Sequence, residues 1–389
     1  MRTALLGAGL LVLGIVAILT GLLSPAAAAT LAERVWPILL FVVAITVVTE
    51  LAAEAGLFTM IAERLAGWGL GRAWLLWLLT VLLATLSTVF LSLDTTAVLL
   101  TPVVISVTRH VGLPAMPFAL TTVWLANSAS LLLPVSNLTN LLAADRLPGV
   151  TPLQFAAVMA APAVVAIVVP CVILFLVYRK QLLAKFELAD RTAPDDRVLL
   201  WAAAVVVVLI IPALVSGIPV WIPACAGALV LLVFFAVRRR AVIRFSLLPW
   251  QLVLLAVGLF IVVETADTRG LAVLLGAIAG TGDGPLALLR MSGIGVASAN
   301  LVNNLPAYLA LEPTAIVPAA TAPLRLAALL IGVNAGPLIT PWASLATLLW
   351  RERLVALGVE VSWGKYLGLG LIVVPLTVGL ATLALAFFG

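Results

Sequence analysis

Four short polar segments interrupt an otherwise apolar chain, and their residue types set the available chemistry. Asp94-Thr95-Thr96 lies within TVFLSLDTTAVLLTPVV (residues 88–104), and Asn303-Asn304 within GVASANLVNNLPAYLALEP (295–313). About forty residues after each tip comes a hydrophobic run broken by proline. LLLPVSNLTN (131–140) holds Pro134 with Ser136, Asn137, Thr139 and Asn140; LITPWASLAT (338–347) holds Pro341 with Thr340, Ser344 and Thr347. Asn127 and Asn334 lie seven residues ahead of the two prolines. Amides and hydroxyls in this arrangement suit a small polar solute or, through oxygen alone, a hard cation. Asp94 adds a group able to carry a proton.

Covalent chemistry finds no support in the same residues. There is one histidine, His110, and two cysteines, Cys171 and Cys225, in different apolar runs without a CxxC or a His/Cys cluster. No metal site, redox pair or cofactor is therefore expected, and the chain does not read as an enzyme. No GxxxxGK[ST] segment is present, so energy must come from an ion gradient or from a separate ATPase chain.

Breaking a helix at membrane depth frees backbone groups that only protein, an aqueous cavity or a bound solute can satisfy. Pro134 and Pro341 each remove a helical donor and crowd the preceding turn. The neighbouring Ser136, Asn137, Thr139, Thr340 and Ser344 then offer partners to a substrate or patch the kink. An acid at such depth is expensive and points to function, which marks Asp94 for ion coupling. In SLDTTAVLL, Asp94 is equally placed to cap the returning helix. Asn303 and Asn304 are the neutral counterpart. Asn127 and Asn334 hydrogen-bond across helices or face the substrate. Glu264 is a second, more peripheral acid for coupling.

Composition places these segments in a bilayer. Sixty-four per cent of residues are hydrophobic and 10% charged, with a mean hydropathy of +1.28, outside the range of soluble domains. Runs near 4–23, 35–52, 114–145, 152–178, 198–215, 219–237, 250–265, 322–350 and 366–388 are long enough to cross a hydrocarbon core of about 30 Å. Residues 74–109 and 285–312 read as hairpins. A membrane β-barrel would instead alternate over about ten residues. The fold expected is an all-α polytopic membrane protein of about nine full transmembrane helices, two re-entrant hairpins and two broken helices. Polar, broken segments at matching places in two halves point to an inverted repeat with the binding site between them. Residues 1–178 form the first half with its inner hairpin, 179–197 a cytoplasmic linker, and 198–389 the second half with its outer hairpin. Amphipathic 54–72 and its mirror 268–284 lie along the interfaces. The first 29 residues carry some marks of a secretory signal, but their long apolar run reads better as a retained span.

With the N-terminus inside and the C-terminus outside, only Arg34, Arg146, Arg269, Arg290 and Arg325 of the 21 basic residues face outward. The reverse topology would invert that bias. The net charge of +5 thus reflects topology in a plasma or inner membrane, not nucleic-acid binding.

The segments LDTTAVLLTPVV, NSASLLLPVSNLTNLLAAD, NNLPA and GPLITPWASLATLLW resemble the signature segments of the arsenite permeases, the membrane subunits of arsenical pumps within the ion transporter superfamily. The resemblance runs from about Trp36 to the C-terminus. It implies an inverted-repeat carrier that exports trivalent arsenic or antimony, driven by the proton gradient or assisted by an ATPase subunit; a homodimer is a further expectation. This chain departs from the family pattern at Asn127 and Asn334, where acids are expected, and at Leu338, where a lysine is. One N-terminal helix of the pattern is also unmatched. A dicarboxylate or sulfate carrier, sodium coupling through Asp94 and neighbouring oxygens, and a passive channel are the competing readings.

Overall fold

The computed structural model describes residues 2–187 and 196–389. Those residues form seventeen α-helices and no strand. In chain order they are α1 (Arg2–Leu19), α2 (Pro25–Glu54), α3 (Leu57–Trp68), α4 (Ala73–Phe90), α5 (Thr101–His110), α6 (Ala115–Ser128), α7 (Leu138–Asp145) and α8 (Pro152–Leu182), then α9 (Arg197–Val215), α10 (Trp221–Arg238), α11 (Trp250–Asp267), α12 (Leu271–Ala279), α13 (Pro285–Val302), α14 (Asn304–Ala315), α15 (Ala322–Leu330), α16 (Leu345–Ala356) and α17 (Trp363–Phe388). Of the linker expected over 179–197, the stretch 188–195, with Arg191, lies outside the described residues.

Local sequence starts the long helices. Ser24 accepts from Ala27 N at 3.1 Å ahead of Pro25, and α8 opens on a reciprocal Thr151–Gln154 capping box ahead of Pro152. Proline at the first helical position costs no hydrogen bond, since that N–H has no helical partner.

Eight helices among the described residues are long and apolar enough to cross a membrane. Six of them, α2, α8, α9, α10, α11 and α17, cover six of the nine expected spans. The apolar core of α1, Leu5–Leu19, is shorter, and two spans are the broken pairs α6/α7 and α15/α16. The remaining two are α4 and α13, the first arms of the expected hairpins. Outward-facing Val208, Leu209, Val233 and Leu371 are exposed, as lipid-facing side chains are. The chain is an all-α polytopic membrane protein.

Small residues set the closest contacts, as expected where helices associate without a hydrophobic drive. On α11, a Cβ at Gly258 would lie 2.7 Å from Leu11 N of α1. Against α13, a Cβ at Gly332 would collide with the Ser292 carbonyl. The first contact seats α1 on α11; the second clamps the end of α15 to the arm of a hairpin.

Two motifs each occur twice. A long arm, a polar tip and a returning helix are built by α4, residues 91–94 and the helical run through α5, and again by α13, Asn303 and α14. The first return begins as a π-helical stretch, Thr95–Leu100, because Pro102 lacks the N–H that would close the ordinary turn and its ring crowds that turn's carbonyl. The second return runs to Ala315, three residues past the expected end. The other motif, helix–break–helix, is built by α6/α7 and by α15/α16.

Candidate functional site

Pro134 cannot donate to the carbonyl four residues back, that of Ser130. The side chain of Asn140 takes its place: Nδ2 donates to Ser130 O at 2.6 Å and to Leu133 O at 3.0 Å. After the break, Asn137 is extended and caps α7, with Oδ1 accepting from Thr139 N at 3.3 Å. Ser136 ties the turn to the first hairpin by donating to Val89 O at 2.8 Å.

The second break begins earlier than Pro341. Helix α15 widens into a π-turn at Ile331–Ala335 and stops ahead of Pro337; Pro341 lies in the following turn, and α16 restarts after Ser344. Here Asn300 of α13 does the work of Asn140. Its Nδ2 donates to Gly336 O at 2.9 Å, and its Oδ1 accepts from Thr340 N at 3.0 Å and Thr340 Oγ1 at 3.2 Å. Trp342 Nε1 donates to Asn300 O at 2.8 Å. Ser344 stands at the helix N-cap without capping it, and its buried hydroxyl has no partner among the described residues.

The two breaks meet at Asn334. Its Oδ1 accepts from Asn137 Nδ2 at 3.0 Å and Thr139 Oγ1 at 2.8 Å, and its Nδ2 donates to Asn140 Oδ1 at 2.7 Å. Asn127 reaches the other way, donating to Val123 O at 2.9 Å and to Thr347 Oγ1 at 3.4 Å, while its Oδ1 is buried and unpaired.

The hairpin tips close onto the breaks. Asn303 holds a left-handed φ of 104°, a conformation a non-glycine residue keeps only when its surroundings enforce it. The enforcing contacts are Asn303 Nδ2 donating to Trp342 O at 2.9 Å and the next amide, Asn304 N, donating to Ala343 O at 2.8 Å. At the first tip the cap is Ser92, whose Oγ accepts from Thr95 N at 3.2 Å. Asp94 caps nothing, which corrects the capping alternative. Its carboxyl has no hydrogen-bond or ion-pair partner among the described residues and lines a cavity.

That cavity, ≈ 70 Å³, is walled by Phe41, Val42, Ile45 and Thr46 of α2, by Leu252, Leu255 and Leu259 of α11, and opposite them by Ser92, Asp94, Asn137, Leu141, Asn303, Asn304 and Ser344. Among the described residues, no lysine, arginine or histidine lines it. It continues past Thr46, Ser92 and Asp94 into a vestibule of ≈ 310 Å³ that reaches Glu50, Arg353 and residues 246–251. Of the residues singled out by sequence, Asp94, Asn137, Asn303, Asn304 and Ser344 face the cavity together. Asn127, Thr139 and Asn334 lie behind its wall as the joint between the breaks, Ser136 ties the first break to the first hairpin, and Thr340 serves Asn300. Pro134 and Pro341 shape the breaks without lining the cavity. Glu264 lies elsewhere, in electrostatic range of Arg34, Arg146 and Glu312.

Sequence reasoning passes over Asn300, which a count of amides near the second break would have found. It also passes over Ser92, since Ser and Asp two residues apart are equally good caps.

The same fold is found in the crystal structure of the YdaH transporter of Alcanivorax borkumensis, which covers all of this chain and 98% of its own at a TM-score of 0.61 and 15% identity. A family model described as citrate transporter (CitMHS) matches residues 2–347. The arsenical pump membrane protein of Escherichia coli (strain K12) is 31% identical, with 95% of this chain and 91% of its own covered. The putative arsenical pump membrane protein of Bacillus subtilis (strain 168) is 28% identical over 88% and 85%. The chain belongs to the citrate transporter family and, within it, to the arsenite permeases. It is a multi-pass membrane transporter. The permease thus gathers much of its buried polarity where four chain breaks meet, with Asp94, Asn137, Asn303, Asn304 and Ser344 at one cavity.

Proposed function

We propose that this permease is a secondary active carrier that exports arsenite or antimonite, binding the uncharged trihydroxy acid between Asp94, Asn137, Asn303, Asn304 and Ser344. One observation carries the reading: the cavity offers amides, hydroxyls and a single carboxylate with no cation. A dicarboxylate, citrate or sulfate would meet Asp94 with nothing but helix N-termini to offset it, each worth about half a charge. Size agrees. The cavity is small and is continuous with the vestibule at Asp94, so a compact solute such as arsenous acid suits it, whereas citrate would have to extend into the vestibule. The names of the curated relatives point the same way.

Asp94 is the coupling group in this reading. It stands where cavity and vestibule join, free of any cap or ion pair, so it can exchange a proton with the vestibule and still face the solute. The coupling ion in this reading is a proton, since Asp94 is the titratable group among the described lining residues of the cavity. The halves 1–178 and 198–389 are inverted repeats joined by a cytoplasmic linker, the N-terminus is cytoplasmic and the C-terminus outside. The vestibule then opens to the cytoplasm, the side from which an exporter loads, and alternating access moves the cavity to the other face.

The deciding experiment is uptake into inverted vesicles under an imposed proton gradient, with arsenite, antimonite, citrate, succinate and sulfate in parallel. Arsenite and antimonite should accumulate. In Asp94→Asn accumulation should vanish while counterflow exchange persists. Accumulation of citrate or sulfate alone overturns the substrate, and proton-driven accumulation by Asp94→Asn overturns the coupling site.

A further inference from the structure

Helix α2 is a ruler for the cavity. Glu50 and Thr49 stand at the vestibule and Phe41–Thr46 at the cavity. Arg34 stands a further seven residues back from Phe41, about 24 Å from Glu50 at 1.5 Å per residue. At that far end Glu312 of α14, 2% exposed, takes a two-pronged hydrogen bond from Arg34, Nη1 donating at 2.9 Å and Nη2 at 2.6 Å. Arg146, at the end of α7, donates to the same carboxylate from Nε and Nη2, each at 3.1 Å, and Tyr308 Oη donates at 2.8 Å. Arg34 also donates to Asp145 at 2.9 Å and to Leu142 O at 3.2 Å.

Three elements are joined here, α2, α7 and α14, and each contributes side chains to the cavity's lining. Leu141 precedes the carbonyl of Leu142, and Leu305 lies one turn before Tyr308; both line the cavity floor. Any parting of α2 from α7 and α14 at this end must therefore break this cluster.

We propose that Arg34, Glu312 and Arg146 form a latch that shuts the end of the carrier opposite the vestibule and opens once in each transport cycle. The proposal rests on the alternating-access reading. Charge suits the task better than an apolar seal. Wetting apolar surface costs free energy in proportion to its area, so an apolar seal favours the closed state. A buried ion pair is close to break-even, because each ion regains its hydration when the pair separates. Closed and open states then lie near each other in free energy, which reversible gating requires. Two arginines opposite one glutamate and one aspartate leave the cluster neutral, so closing it strands no charge.

The test is side-specific labelling. A cysteine replaces Leu259 in the cavity wall, in a background of Cys171→Ala and Cys225→Ala, and a membrane-impermeant maleimide is applied to each face in vesicles of known orientation. With the latch intact, labelling through the vestibule should exceed labelling through the opposite face at least tenfold. Glu312→Gln should raise opposite-face labelling about tenfold or more. Should that variant not give a monodisperse protein, Arg34→Lys keeps the charge but loses the guanidinium fork and should raise it about threefold. Asp145→Asn, at the solvent rim, should change it less than twofold. Unchanged opposite-face labelling in folded Glu312→Gln or Arg34→Lys overturns the latch. No solute enters the assay, so its failure is distinct from a failure of the arsenite assignment.

Discussion

The two broken helices are crossed by the same residue type at the same spacing, yet they are joined very differently. Counting from each proline, Asn127 corresponds to Asn334, Asn137 to Ser344 and Asn140 to Thr347. Asn334 reaches the first break and makes three bonds of 3.0 Å or less, to Asn137, Thr139 and Asn140. Asn127 reaches the second and makes one bond of 3.4 Å to Thr347, with its Oδ1 left unpaired. The Asn137 cap is used and the Ser344 cap is idle. A fully satisfied polar network makes a rigid joint, whereas a partly satisfied one leaves capacity over. The first break is thus the fixed reference of the site, and the second carries the spare hydrogen-bonding groups that a solute or a conformational change can use.

The sharpest way to break this comparison is to remove both crossing amides in turn. Asn334→Ala strips three buried partners at once. With about 1–3 kcal/mol for each group left unpaired, and with Asn137 keeping its 3.4 Å bond to Ser130 Oγ, a loss of about 3 kcal/mol is expected. Thermal unfolding of the detergent-solubilised protein reads it as a large drop in midpoint. Asn127→Ala removes one long bond across the breaks, one bond to Val123 O inside its own helix and an already unpaired oxygen, for about 1 kcal/mol. Equal losses in the two variants would mean that the asymmetry of the joints has no energetic content.

A second pair of variants tests what the breaks share. Asn140 and Asn300 come from different parts of the chain, yet each gives its amide to a carbonyl beside a proline break. Asn140→Ala and Asn300→Ala should each cost about 2 kcal/mol, between the two crossing amides. A near-neutral Asn300→Ala would show that the second break is solvated from the cavity rather than braced from α13.

Much of this architecture is legible in the sequence because apolar runs and prolines act locally. The spans at 198–215, 219–237 and 250–265 match α9, α10 and α11 within two residues at either end. The tips fall where Asp94 and Asn303 mark them. What sequence misplaces depends on choices between near-equal local partners or on distant ones. Ser92 rather than Asp94 caps the first return, because either fits SLDTT. The second helix stops at Pro337 rather than Pro341, since both prolines of GPLITP break a helix and the upstream one acts first. Glu312 meets Arg34 across 278 residues, and no periodicity or motif links positions so far apart. The division of the polar groups into a braced joint and a cavity lining is of the same kind. Asn127, Asn137, Asn303 and Asn334 are chemically alike, and only the packing of α6, α13 and α15 decides which of them faces open space.

The smallest effect on stability is the one that bears most on function. Ser344 is fully buried, its hydroxyl has no partner among the described residues, and it borders the cavity beside Asn303 and Asn304. Removing a hydroxyl that bonds to nothing cannot cost a hydrogen bond, so Ser344→Ala should leave the unfolding midpoint nearly unchanged, within about 0.5 kcal/mol. If the hydroxyl is held in reserve for the solute, the same variant forfeits one neutral hydrogen bond in the loaded carrier. That is worth about 0.5–1.5 kcal/mol, or roughly a two- to tenfold rise in the half-saturating arsenite concentration at 1.4 kcal/mol per decade. Asn137→Ala offers the contrast: its side chain both holds Asn334 and lines the cavity, so the variant should lose stability and transport together. A Ser344→Ala carrier with both properties unchanged would assign the idle cap to packing alone, and the spare capacity of the second break would have to lie in Asn127 and Asn304.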